Sequence, residues 1–206
     1  MKRIPFNRIN ITGDLNIRPD ELPGPDTDIL FSKDPHMIDS YNILFTQHPR
    51  PGSLFEIGIA FGGSLLLWHW LGIKQVCGID HNLGRFQPKD YCDKNNIGYY
   101  NCTIFDTEKT ISIVNIAFPH GIDWIIDDGA HTVESILIGF KTLWDKLNIG
   151  GLYIIEDWSA LHQIHRMEIL ETLVDDLIGD WQVKYLPGPR IRNIQLRRTM
   201  MIIEKI

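Results

Sequence analysis

The most informative stretch of the chain is Ile122-Asp123-Trp124-Ile125-Ile126-Asp127-Asp128-Gly129-Ala130-His131, where an apolar run ends in an acidic cluster. A second run of the same kind, Gly151-Leu152-Tyr153-Ile154-Ile155, is followed by Glu156-Asp157. Continuous apolar runs of this length are typical of parallel strands that are covered on both faces. Because open α/β sheets bind ligands beyond the carboxyl ends of such strands, the two acidic clusters predict a site that could hold one shared ion.

Strand and helix patterns alternate along the chain on both sides of this stretch. The alternation predicts an α/β fold with a doubly wound, Rossmann-like sheet. No helix separates the last two predicted strands, so we expect a hairpin there, with the terminal strand antiparallel to its neighbour. The predicted strands span residues 53–58, 75–79, 98–103, 122–126, 151–156, 181–186 and 199–205, and the predicted helices span residues 35–47, 63–71, 107–117, 132–147 and 160–178.

The length and composition indicate one sizeable domain. The chain has 206 residues, of which 44% are hydrophobic, which is enough for an ample core. The composition and periodicity of the sequence change near residue 36. A proline-rich N-terminal segment, residues 1–35, is followed by the periodic segments of residues 36–206. The prolines prevent a long helix in residues 1–35, and we predict that this segment forms an arm or lid that precedes the main domain.

The net charge indicates which kind of partner the protein binds, and the cysteines indicate the redox state of its compartment. A formal net charge of -6 argues against a general binder of nucleic acid or of a membrane surface, and it favours a small-molecule partner. Cys77, Cys92 and Cys102 are odd in number and lack the spacing of a disulfide framework or a zinc site, which suits a reducing cytoplasm. The N-terminus has no apolar signal core, and residues 65–71 are too few to span a bilayer, so a soluble cytoplasmic protein is expected.

A glycine-rich loop, Gly58-Ile59-Ala60-Phe61-Gly62-Gly63, follows the first predicted strand. The first loop of such a sheet is where a nucleotide-like cofactor binds, and its glycines allow close approach of the backbone. Ala60 stands where the dinucleotide fingerprint requires glycine, which argues against a nicotinamide or flavin cofactor. Asp80, at the end of the second strand, is predicted to accept hydrogen bonds from ribose hydroxyls, and Asp106 is predicted to approach the adenine.

Four segments together resemble the class I S-adenosylmethionine-dependent methyltransferases. Within that class they are similar to the family of macrocin and other macrolide-sugar O-methyltransferases, rhamnosyl O-methyltransferases and cephalosporin hydroxylase-type proteins. The resemblance runs from about residue 36 to residue 206. It is carried by Glu56-Ile57-Gly58 with Gly62-Gly63-Ser64-Leu65, by Gly78-Ile79-Asp80, by Ile126-Asp127-Asp128-Gly129-Ala130-His131, and by Gly150-Gly151-Leu152-Tyr153-Ile154-Ile155-Glu156-Asp157.

This resemblance implies a fold, two cofactors and an activity. It implies a seven-stranded sheet with a C-terminal antiparallel strand, S-adenosylmethionine over the first two strand ends, and Mg2+ (or Mn2+) beside its methyl group. The activity implied is methyl transfer to a hydroxyl of a small natural product of sugar or polyketide type. The predicted site residues are Glu56, Gly58, Gly62, Ser64, Asp80 and Asp106 for the cofactor, Asp128, Glu156 and Asp157 for the metal, and His131 as the general base.

The chemistry of such a transfer requires these residue types. The oxygen of an alcohol or phenol is a poor nucleophile at neutral pH and must lose its proton as it attacks the methyl carbon. Carboxylates and waters hold a hard cation such as Mg2+, which makes a hydroxyl more acidic. His131, three residues after Asp128, lies about one helical turn away and can take the proton. A lid over the site would exclude water and help to align the reacting atoms.

Simpler interpretations of the same residues are open at this point. Asp128 could be only a helix N-cap, and Glu156-Asp157 could be a solvated loop, since a shared ion requires the strand to end before that pair. His162 and His165 are more typical of an exposed helix face than of a zinc site. The basic segment of residues 184–205 predicts a solvated hairpin or a contact in a homo-oligomer. The alternative functions are metal-independent transfer to nitrogen or carbon, and a non-catalytic subunit that binds S-adenosylmethionine.

Overall fold

The structure is a computed structural model that describes Lys33 and residues 35–158, 161, 163–183, 191–197 and 199–206. The predicted arm or lid over residues 1–35 therefore lies outside the described residues, apart from Lys33 and Pro35. The described part of the chain alternates between strands and helices in the predicted order.

Seven strands form a single sheet: β1 (Ser53–Ile57), β2 (Gln75–Asp80), β3 (Gly98–Asn101), β4 (Ile122–Asp127), β5 (Leu147–Ile155), β6 (Ile191–Leu196) and β7 (Met201–Lys205). Their order in the sheet is β3-β2-β1-β4-β5-β7-β6. The first five strands pair in parallel, whereas β7 runs antiparallel to both β5 and β6. The predicted doubly wound sheet, its terminal hairpin and its antiparallel last strand are therefore confirmed.

Helices cover both faces of the sheet, and within the described residues they are α1 (Pro35–Gln47), α2 (Gly63–Trp70), α3 (Lys89–Lys94), α4 (Thr107–Ala117), α5 (Val133–Leu143) and α6 (Gln163–Val183). One core contains Trp68 of α2 together with Ile126 of β4. The opposite core contains Phe140 of α5 together with Ile125 of the same strand. Neighbouring residues of β4 thus enter different cores, which explains why the run is apolar throughout rather than alternating.

The largest differences from the predicted element boundaries occur at two places. The strand predicted over residues 181–186 is wrong at its start, because residues 181–183 continue α6, and β6 begins only at Ile191. Trp181-Gln182-Val183 alternates as a strand would, but no proline interrupts the helix before Pro187, and one glycine, Gly179, is tolerated inside a helix. Residues 184–190 lie outside the described part of the chain.

The second difference concerns the start of β5. The helix predicted over residues 132–147 ends at Leu143, a short 3-10 turn follows, and β5 begins at Leu147 rather than at residue 151. The pair Gly150-Gly151 resembles a turn in the sequence, and Gly150 does have a left-handed φ of 78°. The strand nevertheless pairs on both sides of this glycine, with a register shift against β4.

Among the described helices, none has the length and apolar character that a bilayer span requires.

Candidate active site

The candidate site lies where the strand order reverses, between β1 and β4. The loops that follow these two strands touch: the backbone N–H of Asp128 donates to the carbonyl oxygen of Ile57 at 2.9 Å. Gly58 has a φ of +84°, and a Cβ atom there would lie 2.2 Å from the Asp128 carbonyl oxygen, so no larger residue fits without moving one loop. Doubly wound sheets bind ligands at such a reversal, which is the position that the sequence predicts.

Asp80, at the end of β2, holds the glycine-rich loop in place. Its Oδ2 atom accepts hydrogen bonds from the backbone amides of Ile59 at 3.1 Å and Ala60 at 2.8 Å. Its Oδ1 atom accepts from the amide of Asn82 at 2.9 Å. Ala60 has a φ of +40°, a conformation that a non-glycine residue adopts at a cost, and the bond to Asp80 offsets that cost.

A cavity of about 500 Å³ opens beside this loop, a size typical of small-molecule sites. Two of the predicted cofactor-binding residues, Gly58 and Asp80, line it. Phe105 lines it as well, and this aromatic side chain is 48% exposed. The other lining residues are Ile57, Ala60, Ile79, His81, Cys102, Thr103, Ile104, Asp128, Gly129 and Ala130.

Three other predicted cofactor-binding residues hold the glycine-rich loop and the start of α2 in position. Glu56 is fully buried, and its Oε2 atom accepts hydrogen bonds from the Ser64 hydroxyl at 2.7 Å and from Trp68 Nε1 at 3.2 Å. Gly62 is the residue that precedes α2, and its φ of +85° turns the chain into that helix. These contacts fix the start of α2 relative to the end of β1.

Asp106 has a structural partner of its own. Its side chain accepts a hydrogen bond from the backbone N–H of Lys109 at 3.1 Å and so caps α4. The neighbouring Phe105, rather than Asp106, contributes to the cavity wall. The contact between Asp106 and adenine stays a prediction.

Three side chains with metal-ligating atoms converge beside the cavity. The ligand atoms of Asp128, His131 and Asp157 all lie within 4.8 Å of one another. His131 Nε2 is 3.4 Å from Asp157 Oδ2 and 3.7 Å from Asp128 Oδ1. His131 and Asp157 each have a left-handed φ of 52°. Non-glycine residues held in this conformation concentrate at functional sites, because the surrounding structure has to impose it.

Glu156 and Asp157 have different surroundings, because β5 ends at Ile155 and the pair lies beyond the regular strand. The strand therefore does end before this pair, as a shared ion requires. Asp157 has a side chain that is 41% exposed and joins the group with His131. Glu156 is buried and lies deeper, outside the three-residue group whose ligand atoms converge.

Lys33 is a site residue that sequence reasoning missed. Its Nζ atom donates hydrogen bonds to Glu156 Oε2 at 2.6 Å, to Asp128 Oδ2 at 2.8 Å and to Glu56 Oε1 at 3.1 Å. The side chain is only 3% exposed. A single lysine in a proline-rich stretch has no spacing pattern that could have predicted this position.

Tyr41 of α1 completes the surroundings of Glu156. Its hydroxyl donates to Glu156 Oε1 at 2.5 Å, and its ring packs edge-on against Trp68 with centroids 4.7 Å apart. Both oxygens of Glu156 are thus bonded, one to Tyr41 and one to Lys33. Burial raises the pKa of Tyr41 well above its usual value, and the negative charge of Glu156 adds to the effect, so Tyr41 stays a hydrogen-bond donor.

The electrostatics of this cluster depend on Lys33. Burial alone would lower the pKa of Lys33, but Asp128, Glu156 and Glu56 together hold it well above its ordinary value. Burial raises the pKa of Glu156 well above its ordinary value, and Asp128 raises it further, against the opposing effect of Lys33. Burial also raises the pKa of Glu56. Lys33 is therefore charged at neutral pH and compensates negative charge that would otherwise be buried alone.

Asp127 points to the other face of the sheet and supports the site from there. Its Oδ2 atom accepts a hydrogen bond from the Tyr153 hydroxyl at 3.1 Å, and its Oδ1 atom accepts from the Gly129 amide at 3.4 Å. Burial raises the pKa of Asp127 to about 7. The residue therefore anchors the loop that carries Asp128, and its adjacent position in the sequence does not bring it to the metal-ligating group.

Several of the simpler interpretations can now be tested. Asp128 is not the cap of α5, because Thr132 occupies that position and forms a capping box with Ser135. His165 is exposed on α6, as expected for a helix face, and His162 lies outside the described residues. In the basic segment, Lys205 Nζ donates to two backbone carbonyl oxygens at 2.7 Å each.

Comparison with known proteins adds sequence relatives. No protein-family model matches the chain. The chain is 30% identical over 165 residues to 8-demethyl-8-alpha-L-rhamnosyl tetracenomycin-C 2'-O-methyltransferase of Streptomyces olivaceus. This match covers 68% of the chain and 42% of that protein. The chain is also 30% identical over 117 residues to demethylmacrocin O-methyltransferase of Streptomyces fradiae, covering 55% of this chain and 25% of that protein. The chain is a homologue of these sugar O-methyltransferases. The matched region covers less than half the length of either relative.

Solved structures agree on the fold of this homologue. MycE methyltransferase from the mycinamycin biosynthetic pathway, in complex with Mg and SAH, superposes with a TM-score of 0.63 at 23% identity, over 82% of this chain and 49% of that chain. A structure of cmcI with Mg and SAM superposes with a TM-score of 0.52 at 20% identity, over 98% of this chain and 97% of that chain. The Rossmann-like fold of class I methyltransferases, expected from the sequence, is confirmed.

Proposed function

We propose that the chain is a magnesium-dependent O-methyltransferase, which transfers the methyl group of S-adenosylmethionine to a hydroxyl of a small natural product such as a sugar. The observation that carries this proposal is the convergence of Asp128, His131 and Asp157 beside a cavity at the strand-order reversal. The cavity offers a cofactor site, and the cluster offers a cation site and a base next to it. The names of the homologues supply the sugar-hydroxyl acceptor class.

The residues fit an S-adenosylmethionine site beside the glycine-rich loop. Gly58 leaves room for close approach, and Asp80 shapes the loop while also facing the cavity. Asp80 stands at the end of β2, where a carboxylate can accept hydrogen bonds from ribose hydroxyls. Glu56, Gly62 and Ser64 contribute by holding the loop and the start of α2 in place.

The residues also fit a divalent cation. Asp128 and Asp157 offer carboxylate oxygens, the ligand type that Mg2+ prefers, and Glu156 lies beside them as the third predicted ligand. Two of these three carboxylates, Asp128 and Glu156, already face a cation, since Lys33 Nζ lies 2.8 and 2.6 Å from their oxygens. When bound, the ion would act as a Lewis acid that makes the acceptor hydroxyl easier to deprotonate.

His131 is the residue that removes the proton. As the acceptor oxygen forms its bond to the methyl carbon, the bond from that carbon to sulfur breaks, and the hydroxyl proton passes to His131 Nε2. The products are the methyl ether, S-adenosylhomocysteine and a proton held on the imidazole. His131 is suited to this step because its side chain is 31% exposed, so it can reach an acceptor in the open part of the site.

The division of the chain into an arm or lid, residues 1–35, and a cofactor-binding domain, residues 36–206, is part of the same proposal. Lys33 supports it, because this residue belongs to the first segment and yet contacts Glu56, Asp128 and Glu156 of the second.

The direct test measures S-adenosylhomocysteine formation from S-adenosylmethionine with rhamnoside and macrolide-sugar acceptors, in Mg2+ and in EDTA. We expect turnover in Mg2+ and loss of turnover in EDTA. Asp157→Asn should lower turnover by about ten- to a hundred-fold, the range typical of substitutions that weaken a metal site. Asp123→Asn is the matched control, because Asp123 lies at the opposite end of β4 and binds the Gly52 amide.

The outcomes separate the alternative functions. Unchanged turnover in EDTA would overturn the metal-dependent mechanism and favour transfer without a metal, and methylation of an amine or carbon acceptor would identify the atom attacked. Binding of S-adenosylhomocysteine without turnover of any acceptor, together with wild-type biological effect in Asp128→Asn, would favour a non-catalytic subunit.

A further inference from the structure

The Lys33 ammonium joins three carboxylates that come from three different strand ends. Glu56 belongs to β1, Asp128 follows β4, and Glu156 follows β5. The N–O distances are 3.1, 2.8 and 2.6 Å, respectively, and the Lys33 and Glu56 side chains are 3% and 0% exposed. The Lys33 Nζ atom also lies 5.9 Å from the centroid of a Trp68 ring, which can stabilise a cation further.

The environment of Lys33 is that of a buried counter-ion. Three carboxylates face one ammonium, and a buried carboxylate without a compensating cation is strongly unfavourable. Glu56 and Glu156 are buried, so bulk solvent does not screen their charge. Removal of Lys33 would therefore leave a strongly negative, partly enclosed cluster.

Lys33 and the proposed metal site share carboxylates. Asp128 directs Oδ2 to Lys33 and Oδ1 towards His131, so its two oxygens serve both sides of the cluster. Glu156 gives Oε2 to Lys33 and Oε1 to Tyr41, which holds it back from the group formed by Asp128, His131 and Asp157. A divalent cation that draws on Asp128 and Glu156 must compete with the ammonium for the same negative charge.

We propose that Lys33 is a built-in competitor of the divalent cation and sets how tightly the site takes up metal. This inference rests on the proposed function, since it concerns the metal of the same site. Like charges that share ligands weaken each other's binding, and the coupling is reciprocal. Metal uptake therefore loosens the hold of Lys33 on the cluster, which couples the position of this side chain to the occupancy of the site.

The test is Mn2+ binding to the full chain by isothermal titration calorimetry, with Mn2+ in the role of Mg2+. We expect Lys33→Met to bind Mn2+ roughly ten-fold tighter or more, within the usual range of coupling between two sites. Lys33→Arg keeps the positive charge and should stay within about three-fold of wild type. Lys205→Met is the matched control, because Lys205 also makes two short hydrogen bonds, but to backbone carbonyls of residues 144 and 147.

A merely structural Lys33 would give a different result. Its loss would then disorder the site, and Lys33→Met would bind Mn2+ as weakly as wild type or more weakly, which overturns the proposal. The thermal unfolding temperature gives a second measurement: Lys33→Met should unfold at a lower temperature in EDTA, and Mn2+ should raise its unfolding temperature more than that of wild type.

Reciprocity is tested on the wild-type chain itself. Trypsin cleaves after lysine, and the buried Lys33 side chain should protect that bond. Mn2+ should accelerate formation of the peptide that ends at Lys33, measured by mass spectrometry against a cleavage after the exposed Lys89 as internal control. Slower or unchanged cleavage at Lys33 would overturn the coupling.

Failure of this inference is distinguishable from failure of the proposed function. If wild type binds Mn2+ and Lys33→Met binds it no tighter, only the competition is wrong. If neither wild type nor Lys33→Met binds Mn2+, the metal-dependent function is wrong as well, and the competition falls with it.

Discussion

His131 and Asp157 face each other across the candidate site, with 3.4 Å between Nε2 and Oδ2, although they follow different strands, β4 and β5. Both residues have a left-handed backbone with φ of 52°. This shared conformation brings the two side chains together immediately beyond the ends of the sheet. It also limits which substitutions can test them, because most L-residues adopt it only at a cost, whereas asparagine tolerates it.

We expect His131→Asn to lower turnover by about 10²- to 10⁴-fold, the usual contribution of a general base. Asparagine keeps the backbone conformation, so the affinity for S-adenosylhomocysteine should not change. Initial rates and calorimetric titration measure the two quantities. His165→Asn, on the exposed face of α6, is the control and should keep the wild-type rate. A rate for His131→Asn close to that of wild type would show that another group takes the proton.

Gly58 and Gly150 allow the role of the glycine loop to be measured with a matched pair. Both have a left-handed φ, 84° and 78°, so alanine costs about 1 to 2 kcal/mol of backbone strain at either position. Alanine at Gly150 meets nothing within 4 Å, whereas at Gly58 its Cβ would collide with the Asp128 carbonyl.

We therefore expect Gly150→Ala to lower the unfolding temperature modestly and leave cofactor affinity unchanged. Gly58→Ala should lose more stability and weaken S-adenosylhomocysteine binding at least about ten-fold, since the two site loops are forced apart. Differential scanning calorimetry and isothermal titration calorimetry give both values. Equal effects of the two substitutions would mean that backbone strain alone, and not the contact with the Asp128 loop, explains the need for glycine at residue 58.

Asp80→Asn should weaken S-adenosylhomocysteine binding by about ten- to a hundred-fold. The Oδ2 atom accepts two backbone amides, and an amide nitrogen in its place would face the same donors without an acceptor. Asp106→Asn is the comparison, because asparagine caps α4 as well as aspartate does. A ten-fold loss of affinity in Asp106→Asn would establish the cofactor contact that the sequence predicts for Asp106, and unchanged affinity would show that this side chain only caps α4.

The fold was predictable because its central strands, such as β1 and β4, are buried on both faces and so appear as apolar runs. The acidic residues after β4 and β5 were predictable as a cluster for a related reason: parallel strands end at the same edge, so residues that follow them meet. Asp128, His131 and Asp157 do converge there. The hairpin of β6 and β7 followed from the absence of a helix between the last two strands.

Contacts between distant segments could not be predicted in this way. Lys33 bonds to Asp128 and Glu156, which are 95 and 123 residues away, and no local pattern distinguishes it from a surface lysine. Glu156 is buried, whereas the adjacent Asp157 is partly exposed. This difference depends on where β5 ends and on Tyr41 of α1, which donates a hydrogen bond to Glu156. Such details depend on packing between elements, which a single sequence does not encode locally.

The three cysteines provide a chemical report on where the cofactor binds. All three cysteines are buried, but Cys102 also lines the cavity, whereas Cys77 and Cys92 are absent from its lining. Burial raises the pKa of Cys77 to about 12, and burial with a smaller effect of Asp93 does the same for Cys92. At pH 8 only roughly one in ten thousand of these two thiols is ionised, and the thiolate is the reactive form.

Iodoacetamide at pH 8 should therefore modify Cys102 before Cys77 and Cys92, and S-adenosylhomocysteine should slow its modification. Peptide mass spectrometry over time measures the three sites separately. The expected protection follows from occupancy of the cavity that Cys102 lines, so Gly58→Ala, which should bind S-adenosylhomocysteine at least about ten-fold more weakly, should need a correspondingly higher concentration for the same protection. Equal labelling of Cys102 with and without S-adenosylhomocysteine, at a concentration that saturates calorimetric binding, would place the cofactor elsewhere. Unfolding in guanidinium should make all three thiols react at similar rates, because the burial that raises the pKa of Cys77 and Cys92 is then lost.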